Sequence, residues 1–136
     1  MAKHEAVIDR VIDFWHALDR RDYDTILSLV AEDCDWQREV LISGRAAIGE
    51  ALSQRPSSLM TRHQITNLRV VGDGDRCLVK FLITTFGVFQ SSEEHSLPDC
   101  GGPALVADGE MHFSVAGETI SITNIVAKIV FQSGRR

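Results

Sequence analysis

The first third of the chain repeats apolar residues at helical spacing. Between residues 7 and 18 they fall at positions 7, 8, 11, 12, 15 and 18, which predicts an amphipathic helix with one buried face. Asp22 then precedes a second apolar group and predicts a capped helix that ends near Ala31. Gly44 begins a third, shorter pattern that stops before Pro56 and predicts a short helix.

After residue 60 the apolar period changes from that of a helix to that of a strand. Runs rich in Val, Ile, Thr and Phe, separated by turn-forming residues, predict four antiparallel strands at 62–71, 76–89, 104–115 and 119–131. A short strand is also expected at 34–37. In run 104–115 the odd-numbered residues are apolar and polar residues alternate with them, so the odd face should be buried. In the last run the phase shifts near Thr123-Asn124, which predicts a β-bulge that curls the sheet.

These elements together predict an α+β fold in a single domain spanning residues 1–136. Three N-terminal helices should pack on a strongly curved, mainly antiparallel sheet, as in a cone-shaped α+β barrel. Elements of this kind leave a concave face of the sheet under the helices. We expect that face to form the ligand pocket.

Composition and charge exclude several classes of function. The formal net charge is −5, and the 14 lysines and arginines form no basic stripe, so we expect no nucleic-acid partner. No apolar run approaches the roughly 18 residues that span a bilayer, and the N-terminus lacks the apolar core of a signal peptide. The three cysteines have no C-x-x-C spacing, which favours free thiols. A cytoplasmic protein without a membrane partner is expected.

Asp19 and His63 are the candidate catalytic residues. Asp19 follows Ile8, Ile12 and Trp15 in one row of the first helix, so its carboxylate should point toward the core. A buried carboxylate needs a hydrogen-bonded partner, and the imidazole of His63 on the first long strand would supply one. With one ring nitrogen held by Asp19, the other would be left as a general base. This chemistry requires no cofactor and no metal.

Apolar side chains are expected to form a chamber for a small hydrophobic, ring-shaped ligand. Phe81 and Ile83 are assigned to its wall because the opposite phase would bury Lys80, although Leu78 and Leu82 on that phase are also apolar. The candidate substrate-binding residues are Trp15, Tyr23, Trp36, Phe81, Ile83, Met111 and Phe113.

Four segments of the chain, in this order and spacing, resemble the SnoaL-like branch of the nuclear-transport-factor-two-like (cystatin-like) superfamily. They are residues 17–24, 33–36 and 44–48, and Arg62-His63 followed by Thr66-Asn67. The resemblance implies a cone of helices around a bent sheet and a homodimer or homotrimer. In scytalone dehydratase and hexachlorocyclohexane dehydrochlorinase of that superfamily, an aspartate at the end of the first helix orients a histidine from the first long strand. Asp19 and His63 look equivalent to that pair.

The chain departs from other branches of the superfamily. Ketosteroid isomerases use a tyrosine and an aspartate where this chain has Phe14 and Arg38, and the Asp-Arg-Asp set of limonene-epoxide hydrolases has no equivalent here. Scytalone dehydratase also polarises its substrate with pocket tyrosines, whereas Tyr23 is the single tyrosine of this chain. The resemblance therefore implies a cofactor-independent dehydration or related elimination. An isomerase, a polyketide-cyclase-like enzyme and a non-catalytic ligand-binding or accessory subunit are the alternatives.

Several residues keep a second interpretation. Asp19 could instead cap the second helix or pair with a neighbouring arginine, and His63 could be a structural histidine. Asn67, expected on the same strand face as His63, could bind a ligand or fasten the sheet to a helix. His16, one turn before Asp19, is a rival partner for that carboxylate or a surface residue, and His112 is expected on the outer face of the sheet.

Overall fold

The fold combines three helices with one six-stranded sheet. The computed structural model describes residues 2–72, 74–90 and 97–134. The helices are α1 (Ala2–Arg20), α2 (Tyr23–Leu29) and α3 (Arg45–Ser53). The strands are β1 (Val30–Gln37), β2 (Leu41–Ser43), β3 (Leu59–Val71), β4 (Arg76–Phe89), β5 (Leu105–Ala116) and β6 (Thr119–Gln132). This α+β architecture, with helices on a curved sheet, confirms the predicted fold class.

The sheet order is β2-β1-β6-β5-β4-β3. The four long strands pair antiparallel, as predicted, but β1 lies parallel to β6, and the short strand β2 pairs antiparallel with β1. The prediction missed β2 because three residues are too few to show an alternation. It also placed the end of the second helix too late, since the chain becomes extended at Val30, where β1 begins.

The strand pairing shifts register at four places in the described sheet, and two of these irregularities bear on the predictions. His112 pairs with Asn124 and Phe113 with Ile122, so Thr123 is the extra residue, and the predicted bulge is confirmed. A second bulge interrupts β3 between Thr66 and Arg69, where Asn67 has a φ of 56°. Asparagine tolerates this left-handed conformation better than most residues. The bulge shifts the alternation of β3, so the expectation that Asn67 shares a face with His63 is wrong: Asn67 is exposed.

The core lies between the helices and the concave face of the sheet. The odd-numbered residues of β5 from Ala107 to Val115 are buried, as predicted, whereas Leu105 is half-buried. Phe81 and Ile83 of β4 are buried with them. Leu78 and Leu82 on the opposite phase are half-buried, which settles the phase left open by the sequence. Along α1 the predicted row is only partly buried, because Ile12 is 39% exposed. The fully buried residues of that helix include Val7, Val11 and Phe14.

The cysteines of the chain are free thiols. Cys34 and Cys77 are buried, and Cys100 is exposed. Burial, together with the charges of Asp35 and Asp33, raises the pKa of the Cys34 thiol to about 12, so this group stays protonated and unreactive at neutral pH. Within the described ranges, no helix is both long enough and apolar enough to cross a bilayer.

Candidate functional site

Asp19 and His63 are in direct contact. Asp19 lies in the last turn of α1, and His63 lies in β3, against which that helix packs. The distance from His63 Nδ1 to Asp19 Oδ1 is 2.5 Å, and the backbone N–H of His63 donates to Asp19 Oδ2 at 2.8 Å. The two side chains are only 5% exposed (Asp19) and 10% exposed (His63). One residue of β3 thus binds both carboxylate oxygens of the last turn of α1.

These hydrogen bonds determine the charge of Asp19. Burial by itself would raise the pKa of the carboxyl, but hydrogen bonds from the ring and the backbone of His63, assisted by Thr61, outweigh it. The pKa of Asp19 is therefore lowered from its ordinary value of 3.8, and the group is ionised at neutral pH. An ionised carboxylate only accepts hydrogen bonds, so Nδ1 of His63 must carry a proton. In a neutral imidazole this leaves the lone pair on Nε2.

His63 forms part of a cavity wall, whereas Asp19 does not. The Nε2 atom of His63 makes no hydrogen bond with any described residue. The indole of Trp15 packs against the imidazole, with the ring centroids 4.9 Å apart. The buried Nε1 of this indole also has no hydrogen-bond partner among the described residues. Two rings in contact, both in the cavity wall, therefore carry the lone pair of His63 Nε2 and the unsatisfied N–H of Trp15.

The cavity has a volume of about 510 Å³. That size falls in the range of small-molecule sites, roughly 300–1,000 Å³. The apolar part of its wall consists of Trp15, Leu18, Trp36, Val40, Ile42, Leu52, Leu59, Ile83, Leu105, Ala107, Ala127 and Ile129. The polar part consists of Arg38, Glu39, Arg55, Thr61, His63 and Thr85. An apolar molecule with one or two polar groups fits this wall.

The predicted lining residues divide into two groups. Trp15, Trp36 and Ile83 line the cavity. Phe81, Met111 and Phe113 do not: they are packed in the core at 5%, 0% and 1% exposure. Strand alternation correctly predicted that these side chains face inward. It does not show which part of the concave face is covered by helices and which part is left open as a cavity.

Tyr23 was also predicted to line the chamber, and the structure places it elsewhere. Its hydroxyl accepts a hydrogen bond from Arg55 Nη1 at 3.1 Å, and its ring lies beneath the guanidinium groups of Arg21 and Arg55. Tyr23 is outside the cavity wall. Its hydrogen-bond partner Arg55 does line the cavity, so Tyr23 supports a wall residue.

Arg55 and Thr61 are among the polar residues of the site that were not predicted. Thr61 donates to Asp19 Oδ1 at 2.9 Å and accepts from Arg55 Nη2 at 3.4 Å, so a chain of hydrogen bonds joins Arg55 to the Asp19–His63 pair. Thr61 could have been found from the sequence, since it precedes His63 by two residues and therefore shares its strand face. Arg55 lies between α3 and β3, where no period applies.

Arg21 holds the segment that carries Arg55. It occupies the corner between α1 and α2 with a φ of 61°, a conformation that costs a non-glycine residue of order 1 kcal/mol or more. Its guanidinium donates to the carbonyl oxygens of Leu59, Arg55 and Pro56 at 3.0–3.1 Å. These three bonds compensate the strained backbone and fix the α1–α2 corner against residues 55–59.

The alternative roles considered for Asp19, His16 and His112 can be compared with the structure. Asp22, and not Asp19, caps α2, since its side chain accepts from the backbone N–H of Thr25. His16 is exposed on α1 and makes no hydrogen bond with Asp19. His112 lies beside Glu110, with His112 Nε2 at 3.4 Å from Glu110 Oε2. In the part of the chain that the structure describes, no three His, Cys, Asp or Glu side chains are grouped as metal ligands would be.

The family of the chain follows from its match to a known domain. The sequence profile of the SnoaL-like domain matches residues 11–122, a span that includes both Asp19 and His63. The chain belongs to the SnoaL-like family. No curated protein sequence is significantly similar to it.

Solved structures of other proteins share the SnoaL-like fold of this chain. A Novosphingobium aromaticivorans protein provisionally named a scytalone dehydratase superposes with a TM-score of 0.79 at 13% identity, over 99% of this chain and 89% of that one. A provisionally named aromatic ring hydroxylase of the same organism has a TM-score of 0.73 at 19% identity, over 94% and 89%. A Catenulispora acidiphila protein in complex with S-DNPA has a TM-score of 0.75 at 13% identity, over 94% and 93%. At these identities the similarity shows the fold alone.

The lowered pKa of Asp19 leads to a prediction about acid stability. Asp19 should stabilise the folded state while it is ionised, and this contribution should be lost as the pH falls through its folded-state pKa, below the ordinary value of 3.8. Asp19→Asn should be less stable than the wild type at pH 7 by about 1–3 kcal/mol, and the difference should shrink toward pH 3. Urea unfolding at several pH values measures it. Asp13→Asn, an exposed change on the same helix, is the control, and a pH-independent difference for Asp19→Asn would contradict the prediction.

Proposed function

We propose that this protein is a cofactor-independent enzyme that transfers protons on a small hydrophobic, carbonyl-bearing or cyclic substrate. The reaction class is dehydration or a related elimination. One observation carries the proposal: His63 is bound at Nδ1 by the ionised Asp19, has no described hydrogen-bond partner at Nε2, and lines a mainly apolar cavity. Membership of the SnoaL-like family and a fold shared with a provisionally named dehydratase support this class.

Each residue of the pair has a separate part in the proposed reaction. Asp19 fixes the tautomer and the orientation of the imidazole. The lone pair on Nε2 takes a proton from a carbon next to a carbonyl group, and the electron pair of that C–H bond forms a carbon–carbon double bond as the hydroxyl leaves the neighbouring carbon. The proton on Nε2 passes to the departing hydroxyl, which leaves as water. Asp19 stabilises the imidazolium between the two transfers.

The apolar wall assists this chemistry in two ways. Trp15 covers one side of the imidazole and excludes water from it, which strengthens the attraction between Asp19 and the imidazolium, and Trp36 packs against Trp15. The same aromatic side chains offer edges and faces to a ring-shaped substrate. An isomerase would use the same base, returning the proton to a different carbon.

Solvent-exchange NMR tests the proposal without knowledge of the natural substrate. In deuterated buffer the protein should accelerate exchange of the protons next to the carbonyl of a hydrophobic cyclic ketone such as 2-tetralone, relative to buffer alone. The nitrogen-15 spectrum of His63 at neutral pH should show a protonated Nδ1 and an unprotonated Nε2, and both signals should change in Asp19→Asn. A proton on Nε2 instead of Nδ1 would contradict the mechanism. The predicted tautomer without exchange of any ketone in a broad panel would favour a non-catalytic binding protein.

A further inference from the structure

We propose that Arg55 is the substrate-recognition residue of the cavity and that the ligand is an apolar molecule carrying a carboxylate. This inference rests on the proposed function in taking the cavity as the substrate site, and it names the substrate class. Arg55 would be a specificity-determining residue, separate from the Asp19–His63 pair. Its identification comes from its hydrogen bonds, its charge and its place in the wall.

The charge of Arg55 has no carboxylate partner among the described residues. Its guanidinium donates to three neutral acceptors: the Leu18 carbonyl and the Tyr23 hydroxyl at 3.1 Å, and the Thr61 hydroxyl at 3.4 Å. The contacts between basic and acidic side chains in the described part of the chain join Asp19 to His63, and Glu110 to Lys80 and His112, and none of them includes Arg55. Because Arg55 is half-buried, its charge is partly removed from water without compensation by an anion.

The guanidinium also has unused donors. Arginine offers five N–H groups, and three hydrogen bonds, two from Nη1 and one from Nη2, are made to described residues. The N–H groups left over are on Nε and Nη2, which are neighbouring nitrogens of the same plane. Such a pair of donors matches the two oxygens of a carboxylate.

Arg55 is held in place before any ligand arrives. The Tyr23 ring lies 5.9 Å from its guanidinium carbon, and Arg21 Nη2 donates to its backbone carbonyl at 3.1 Å. Thr61 links it to Asp19, so the carboxylate of a ligand would be placed in the same wall as His63. A preorganised donor of this kind loses little conformational freedom on binding.

The other charges of the wall differ from Arg55 in their surroundings. Arg38 and Glu39 line the cavity but are exposed, and the guanidinium of Arg38 lies over the Trp36 ring at 5.3 Å. Asp19 is ionised, and its two carboxylate oxygens are occupied by hydrogen bonds with His63 and Thr61. Solvent screens exposed charges more than buried ones, so Arg55 should dominate the recognition of an anion, and Arg38 provides a matched comparison.

Calorimetry with two probes of equal shape, 2-naphthoate and the neutral 2-naphthamide, tests the inference. The wild type should bind the carboxylate more tightly than the amide. Arg55→Met should weaken naphthoate binding by about 10- to 100-fold with little change for the amide, as expected for loss of a charge-assisted hydrogen bond. Arg55→Lys should retain part of the preference, and Arg38→Met should change naphthoate binding by less than about 3-fold. Equal affinity of the wild type for the two probes, no binding of either, or equal losses in the two methionine variants would overturn the inference.

Two further variants separate this inference from the proposed function and from misfolding. His63→Asn should still bind naphthoate, because recognition is assigned to Arg55, whereas the proton-transfer proposal predicts that this variant loses exchange activity. Tyr23→Phe keeps the charge of Arg55 but removes one of its hydrogen bonds, and it should weaken naphthoate binding by several-fold. This second measurement decides the question if circular dichroism shows that Arg55→Met is unfolded. Loss of naphthoate binding in His63→Asn with no change in Tyr23→Phe would assign recognition to His63 instead.

Discussion

A His63→Asn variant is expected to keep its fold and to lose ketone proton exchange by about 10²- to 10⁴-fold. The asparagine amide nitrogen can take the place of Nδ1 and donate to Asp19 Oδ1, and the backbone N–H at this position still donates to Oδ2. Nothing in asparagine replaces Nε2. The expected loss is the usual contribution of a positioned general base. Exchange rates measured by NMR for the two proteins test it directly.

The chain provides a matched control for this substitution. His112 lies on β5, half-exposed beside Glu110, outside the cavity wall. His112→Asn makes the same chemical change there and should leave the exchange rate unaltered. Asp19→Asn should also lower the rate, because an amide can donate to Nδ1 and so favour the tautomer with the proton on Nε2. Combining Asp19→Asn with His63→Asn should cost little more than His63→Asn alone, since the two residues act as a unit. Full activity in His63→Asn would exclude this residue as the base.

The Asp19–His63 contact could be anticipated from the sequence because both residues lie on regular elements. Asp19 is one helical turn beyond Trp15, and His63 is near the start of a long strand, so periodicity fixes the direction of each side chain. The family resemblance then indicated that the two elements meet. The bulge at Thr123 was predictable for a similar reason, because a shift of apolar phase within a strand has few other physical causes.

The rest of the site depends on contacts that no local pattern encodes. Arg55 reaches Thr61 and Tyr23 from an irregular segment whose position is set by the bonds of Arg21 across the α1–α2 corner. The strand face of Asn67 was predicted wrongly because the sequence does not reveal the bulge in β3. The bulge requires only that one residue adopt a positive φ, which asparagine does without a distinctive sequence signal. Alternation gives the face of a strand, and the packing of helices decides which part of that face is left as a cavity.

Gly109→Ala is expected to destabilise the protein by about 1–3 kcal/mol, the usual cost of overpacking a core. Gly109 pairs directly with Phe81 across β4 and β5. A Cβ atom at Gly109 would lie 2.3 Å from Cε2, 2.8 Å from Cδ2 and 2.9 Å from Cζ of the Phe81 ring, all closer than van der Waals contact. The ring is itself buried, so it cannot swing into solvent. Urea unfolding of the two proteins measures the difference.

The same clash should reach the functional site. The Phe81 ring packs edge-on against Trp15 at 6.3 Å, and Trp15 packs against His63, so a displaced Phe81 would disturb the imidazole. Adding Phe81→Leu to Gly109→Ala removes the obstructing ring carbons, and the double variant should be more stable than the sum of the two single changes predicts, by about 1 kcal/mol. Gly74→Ala is the control, because a Cβ there meets nothing within 4 Å. Additive effects, or a Gly109→Ala protein within about 0.5 kcal/mol of the wild type, would mean that β5 accommodates the methyl group by moving its backbone. The close approach of Phe81 to Gly109 would then have no part in positioning His63.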